Sequence, residues 1–229
     1  MSRLFVALSP PAGVLAEIAA EVGPRRAEWP DLRWVDDALW HVTLAFLGEV
    51  PDEVLPELEV RLARAASRYA PMTVWFGAAG AFPSPGRART FWIGLNTVPA
   101  GSASARDAYA GPPGDLQESS HGDDHGGAHG RSPSGPFAEP LVRLAASLAA
   151  GARRAGAAEV DRKSFHPHLT LARSRARSRH GDDLRSLVSS MSAFHGREWE
   201  AGAAHLVRSH LGSHVRYEQV AVYSLGGRD

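Results

Sequence analysis

The sequence predicts an α+β fold of two similar lobes. Short apolar strands are mixed with helices that do not alternate with them one for one, which argues against a doubly wound parallel sheet. The order helix, His-x-Thr-Leu strand, helix, strand occurs twice, as expected of an internal repeat. A long stretch poor in apolar residues interrupts the chain between the two copies. With 229 residues and 44% hydrophobic content, the chain suffices for one sizeable domain over 1–229.

The first element is an apolar run, Leu4 to Leu8, bounded by Ser9-Pro10-Pro11 and read as a buried strand. Val14, Leu15, Ile18, Ala19 and Val22 then recur at helical spacing, and Gly23-Pro24 is expected to end that helix. Two extended segments follow, Leu32 to Val35 and Trp40 to Leu47, separated by the turn-like Asp36-Asp37. Pro51-Asp52-Glu53 places proline and acids in a first helical turn, and Val54, Leu55, Leu58, Leu62 and Ala65 form the apolar face behind it. Strands are expected at Met72 to Ala79 and Thr90 to Leu95, with the glycine- and proline-rich Gly80 to Gly86 between them.

From 99 to 136 glycine, serine, proline, aspartate and histidine dominate, and little is available to bury, so a disordered insert is expected. Its His121-Gly122-Asp123-Asp124-His125-Gly126-Gly127-Ala128-His129 offers metal-ligand residue types, but a glycine-rich loop preorganises no geometry, and a solvated spacer is the expectation. Beyond it Leu141, Leu144, Ala145 and Leu148 mark a helix ending near Gly156. A strand over His168 to Arg173 follows, then a helix with Leu184, Leu187, Val188 and Met191 on one side. Two closing strands, Glu198 to Arg208 and Arg216 to Leu225, complete the chain.

Composition excludes several chemistries. No cysteine is present, so disulfides, thiolate zinc sites and cysteine nucleophiles are ruled out. Lysine plus arginine number 25 and acidic residues 25, so no global field favours nucleic acid or an anionic membrane, and any anion site is local. No apolar run suits a signal peptide or a membrane span, and a soluble cytoplasmic protein is expected.

The chemistry concentrates in Trp40-His41-Val42-Thr43-Leu44-Ala45-Phe46-Leu47 and Phe165-His166-Pro167-His168-Leu169-Thr170-Leu171-Ala172-Arg173. Side chains alternate across a strand, so His41 and Thr43 share one face, Val42 and Leu44 the other, and His168 with Thr170 repeats the arrangement. Packed about a pseudo-twofold axis, the polar faces meet across a cleft. Two imidazoles suit an in-line displacement at phosphorus, one taking a proton from water and one giving a proton to the leaving oxygen. Threonine hydroxyls donate to non-bridging phosphate oxygens, and Arg173 neutralises charge that develops there. No metal or other cofactor is required.

A lone histidine in a half-buried strand is usually structural, whereas two copies at equivalent positions of a repeat are hard to assign to packing. His166 is expected at the cleft rim. Arg173, Arg175, Arg177 and Arg179 form the only dense basic run, suited equally to an RNA backbone or to a solvated loop, since Gly181-Asp182-Asp183 follow. Trp40, Phe46 and Phe5 have the chemistry to stack a base, but aromatics flanking a strand are more often core.

In these motifs the sequence resembles the two-histidine (2H) phosphoesterases, and in particular the bacterial RNA 2′,3′-cyclic phosphodiesterases formerly called 2′-5′ RNA ligases. The resemblance extends over Leu4-Phe5-Val6-Ala7-Leu8, Arg33-Trp34-Val35, His41 to Glu49, Gly80-Ala81-Phe82-Pro83, Pro167 to Arg173, Leu206-Val207-Arg208-Ser209 and Tyr217. It implies a bilobal pseudo-twofold fold, with two antiparallel sheets flanking a central cleft and helices outside. It further implies that His41 is the proton donor to the departing 3′ oxygen and His168 the proton acceptor that activates water, with Thr43, Thr170 and Arg173 binding phosphate. The implied substrates are RNA or oligonucleotide ends bearing a 2′,3′-cyclic phosphate, and the reverse reaction is a 2′-5′ ligation. The near-symmetric motifs do not themselves say which histidine is the acid. A monomer without an obligate protein partner is the default. The competing readings are a non-catalytic RNA-end binding module, a phosphodiesterase for another cyclic nucleotide phosphate, and a histidine-rich metal-handling protein.

Overall fold

The computed structural model describes residues 1–98, 138–160, 165–175, 181–212 and 214–226. The insert expected over 99–136, with its histidine tract, lies outside the described residues, as do Arg177 and Arg179.

Chain order runs β1 (Ser2–Leu8), α1 (Ala12–Glu28), β2 (Arg33–Trp34), β3 (Val42–Val50), α2 (Leu55–Ala66), β4 (Met72–Phe82), β5 (Thr90–Thr97), α3 (Glu139–Ala155), β6 (His168–Arg173), α4 (Arg185–Ser190), β7 (Trp199–Ala201), β8 (Ala203–His210) and β9 (Arg216–Ser224). Every strand pairing is antiparallel, along the path β7-β4-β5-β6-β3-β1-β8-β9, with β2 added beside β6. The path is pinched at its middle, because β3 and β6 pair only through Val42 and Leu169. On one side of that point lies a lobe of four strands and on the other a lobe of five, counting β2, and each lobe ends centrally in a His-x-Thr motif.

The lobes are not the two halves of the sequence. β4, from the first half, pairs with β5 in the lobe of β6, whereas β8 and β9, from the second, join β1 in the lobe of β3. This exchange explains a departure from expectation at the end of the chain. The segment Glu198 to Arg208 is two strands broken at Gly202: β7 pairs with β4 and β8 with β1, so the chain crosses from one lobe to the other there.

Two other elements are longer than their sequence signals. α1 runs through Gly23-Pro24 to Glu28. Proline removes one helical donor, but buried Val14, Ile18 and Val22 hold the helix to the core. Arg25 also braces the turn around Pro24, donating to the Glu21 carbonyl at 2.9 Å and pairing with its carboxylate at 2.8 Å. β4 likewise continues through Gly80 to Phe82, because the missing side chain at Gly80 makes room for the Trp92 indole from β5.

α3 behaves as expected, burying Leu141, Leu144, Ala145, Leu148 and Ala152 and ending at Gly156 in the left-handed region, φ 105°. It packs against α2 and β3, and α2 also meets β9. α1 is tied to the other lobe, where its Glu17 pairs with Arg197 and its Arg25 donates to the Ser190 carbonyl. In β3, Gly48 takes φ 71° where a Cβ would stand 2.2 Å from the Glu159 carboxylate, so glycine there answers both backbone and space.

Candidate active site

The pairing of Val42 with Leu169 sets the site. Both side chains are fully buried and point into the core. In an antiparallel pair, the positions one step to either side also lie across from each other and project from the opposite face. His41 is therefore set toward Thr170, and Thr43 toward His168. The predicted alternation is present in both strands: His41, Thr43, His168 and Thr170 are partly exposed, whereas Val42, Leu44, Leu169 and Leu171 are buried.

The two imidazoles are held in the same way. His41 Nδ1 lies 2.7 Å from the Leu39 carbonyl, and His168 Nδ1 lies 2.6 Å from the His166 carbonyl. A carbonyl only accepts, so Nδ1 carries the proton in each ring and Nε2 is left for chemistry. His41 Nε2 rests 3.0 Å from the Thr43 hydroxyl. A short helical turn over Asp37–Leu39, capped by Asp36 accepting from the Ala38 amide at 3.0 Å, delivers the Leu39 carbonyl to its position.

Both rings sit among aromatic neighbours. Phe5 stacks obliquely on His41 at 4.7 Å and Tyr217 meets His41 edge-on at 5.2 Å, while Phe82 meets His168 edge-on at 5.1 Å. Burial lowers both histidines below the ordinary imidazole range, partly offset by the carbonyl bond to each Nδ1. Repulsion from Arg173 lowers both further, and His168 adds to the effect on His41. Near neutral pH the free site thus holds two neutral imidazoles. Burial also raises the Tyr217 phenol, which stays protonated as a donor, although Arg173 pulls it the other way.

All five site residues expected from sequence, His41, Thr43, His168, Thr170 and Arg173, line one cleft of about 730 Å³. Arg33, Trp34 and Tyr217 join them. Arg33 arrives through β2, whose register places it opposite Arg173. Of the aromatics considered for base stacking, Trp40 is core, 5% exposed, and Phe5 is buried beneath His41. Only Phe46 lines the cleft with a partly exposed ring. His166 is absent from this cleft and lines its neighbour, while Arg175 is exposed beyond the end of β6. The carbonyls of Leu39 and His166, which fix the tautomers, escaped sequence reasoning because a backbone acceptor leaves no mark in residue type.

A bilobal α+β fold with one His-x-Thr pair from each lobe facing a shared cleft is that of the two-histidine phosphoesterases. The model of the LigT-like phosphoesterases matches residues 6–92 and 132–217. The chain belongs to that family. Its relatives include the RNA 2′,3′-cyclic phosphodiesterase of Geobacillus stearothermophilus, 25% identical over 99% of this chain, and that of Archaeoglobus fulgidus, 35% identical over 41%. The matches span 58% and 51% of those relatives' own lengths. Among solved structures, TT0787 of Thermus thermophilus superposes with a TM-score of 0.64 at 26% identity, covering 99% of this chain and 100% of that one. LigT of E. coli, at 22% identity and a TM-score of 0.60, covers 99% of this chain and 98% of its own, and shares the fold. No helix among the described residues is long and apolar enough to cross a membrane.

Proposed function

We propose that the protein hydrolyses RNA 2′,3′-cyclic phosphate ends to 2′-phosphomonoesters, with His168 as general base and His41 as general acid. The observation that carries this reading is the matched presentation of the two imidazoles, each with Nδ1 donating to a carbonyl two residues earlier, which leaves Nε2 as the nitrogen for proton transfer. The similarity to relatives named RNA 2′,3′-cyclic phosphodiesterase supports the substrate class.

Neutral His168 takes a proton from water as its oxygen bonds to phosphorus. The bond from phosphorus to the 3′ oxygen breaks, and protonated His41 delivers its Nε2 proton to that oxygen. The buried, neutral state of the free site suits the base directly. The acid acquires its proton when the substrate arrives, because the anionic phosphodiester favours the charged form of a nearby imidazole. Thr43, Thr170 and Arg173 hold the non-bridging oxygens and stabilise charge that builds on them. This proton traffic needs no metal. With a 5′ hydroxyl in place of water, the same acid–base pair would form a 2′-5′ linkage.

The test is hydrolysis of adenosine 2′,3′-cyclic phosphate in excess EDTA, with the product assigned by phosphorus NMR. Turnover to the 2′-phosphate is expected. A folded protein that turns over only when a divalent metal is added, or that yields the 3′-phosphate, overturns the mechanism.

A further inference from the structure

Between β2 and β3 the chain leaves the sheet, and within this stretch lies the Leu39 carbonyl that holds the His41 ring. Its local scaffold is slight. One short helical turn is closed by the Leu39 amide donating to the Asp36 carbonyl at 2.9 Å and the Trp40 amide donating to the Asp37 carbonyl at 3.2 Å. A single turn of this kind is marginal on its own. The equivalent carbonyl at the second motif is held by the backbone itself. His166 precedes Pro167, and the proline ring restricts the backbone of both residues. The Pro167 carbonyl also accepts from the Leu95 amide of β5 at 3.0 Å.

The first turn is reached from outside by Arg26, in the last turn of α1. Its Nη2 donates to the Asp37 carboxylate, and its guanidinium lies over the indoles of Trp34 and Trp40, 5.9 and 5.6 Å from the ring centres. The two charged side chains are 34% and 41% exposed, and an ion pair so open to water contributes little by itself. The indoles change that balance. Trp40 is buried and adjoins His41 in sequence, and Trp34 is anchored by its indole N–H donating to the Trp29 carbonyl at 3.0 Å. Two fixed rings therefore flank the guanidinium, and its rigid plane carries their constraint to Asp37. The arrangement has a cost, because Arg26 Nε is buried with no hydrogen-bond partner among the described residues, which an apolar side chain would avoid. Neither Arg26 nor Asp37 is among the described residues that line the cleft.

We propose that Arg26 and Asp37 are positioning residues for the proton donor: together they fix the turn whose Leu39 carbonyl keeps a proton on His41 Nδ1 and so leaves Nε2 to face the departing oxygen. The proposal rests on the hydrolytic reading above, in which His41 is the acid. A charged imidazole carries a proton on each nitrogen, and only the one at Nε2 is placed for transfer. With the Nδ1 proton held by Leu39 the ring keeps one orientation and one neutral tautomer, and without that partner both are free to change.

Long-range proton–nitrogen NMR of the 15N-labelled protein near pH 8 reads which ring nitrogen carries the proton, with no substrate present. The wild type should show Nδ1–H at His41 and at His168. In Arg26→Met and in Asp37→Ala, His41 should become a mixture with the Nε2–H form while His168 stays as it was; His41 unchanged in both folded variants overturns the proposal. The near-isosteric Asp37→Asn guards against misfolding of either and should shift His41 in the same direction by less. With adenosine 2′,3′-cyclic phosphate, each single variant should lose about three- to tenfold in kcat, the worth of one neutral hydrogen bond, with KM little changed because neither residue lines the cleft. The double variant should lose no more than the worse single one, and fully additive losses would show that the two do not act as a unit. If the folded wild type does not hydrolyse the substrate, the hydrolytic reading fails, and the ring tautomers still decide whether this pair positions His41.

Discussion

Val42 and Leu169 face each other at the single residue pair that joins β3 to β6, and both are fully buried. This pair sets His41 toward Thr170 and Thr43 toward His168, so core packing and site geometry meet at one point. Leu169→Ala should cost about 2–5 kcal/mol, the range for an aliphatic side chain removed from a close-packed core. The change in denaturation midpoint measures it. Leu169→Met, which nearly conserves volume, should cost less than about 1.5 kcal/mol and retain activity. A Leu169→Ala protein as stable as wild type would show that the junction is not packed as described.

Replacing His41 or His168 tests the proposed chemistry apart from the fold. His41 and His168 are only partly buried in a solvent-open cleft, so His41→Ala and His168→Ala should remain folded by circular dichroism. Each should lose about 10²–10⁴ in kcat, the usual contribution of a positioned acid or base. Their effects should combine less than additively, since one proton transfer cannot proceed well without the other. Near-wild-type turnover by both variants would sink the two-histidine mechanism.

Much of this site was legible in sequence because its key pattern is local. The alternation of His41, Val42, Thr43 and Leu44, repeated from His168 to Leu171, needs only the period of a strand to be sorted into cleft and core. What joins distant segments was not legible. Nothing in residue type announces that Val42 pairs with Leu169, or that β4 and β8 exchange lobes. Pro24 illustrates a second limit: its local signal says stop, but burial of Val22 and the Arg25–Glu21 contacts carry α1 past it. Gly80 has the same moral, a turn-former by type that here sits inside β4 because Trp92 occupies the space of its side chain.

The contact between Trp92 and Gly80 makes its own prediction. A Cβ at Gly80 would stand 2.3 Å from the indole, whose residue is 8% exposed and has little room to retreat. The same indole lies 6.0 Å from the His168 ring and 4.8 Å from that of His166. Gly80→Ala should therefore destabilise by about 1–3 kcal/mol through overpacking. Activity should fall as well, because a displaced Trp92 pushes on the His168 ring. Gly23→Ala, in α1 with open space around the new methyl, is the control and should keep both stability and activity. If Gly80→Ala also matches wild type, Trp92 does not brace His168.

The histidines also set how stability responds to acid. Burial is the first cause of the lowered pKa at His41, His168 and His166, with His166 held at about 4. In the unfolded chain all three return to about 6.5. Between these values the unfolded state binds protons that the folded state refuses, so unfolding becomes easier as pH falls. The stability attached to these groups is thus complete above about pH 6.5 and declines on acidification below it. For His166 the decline ends where the folded ring itself protonates, near pH 4. Denaturant unfolding at half-unit intervals from pH 7.5 to pH 4 should show this loss, and His166→Gln should flatten the curve across that window. Carboxylates that lose their partners on protonation act at the lower end. The comparison of wild type with His166→Gln between pH 6.5 and pH 5 is therefore the informative one, and identical slopes there would mean that the folded protein leaves His166 free to titrate.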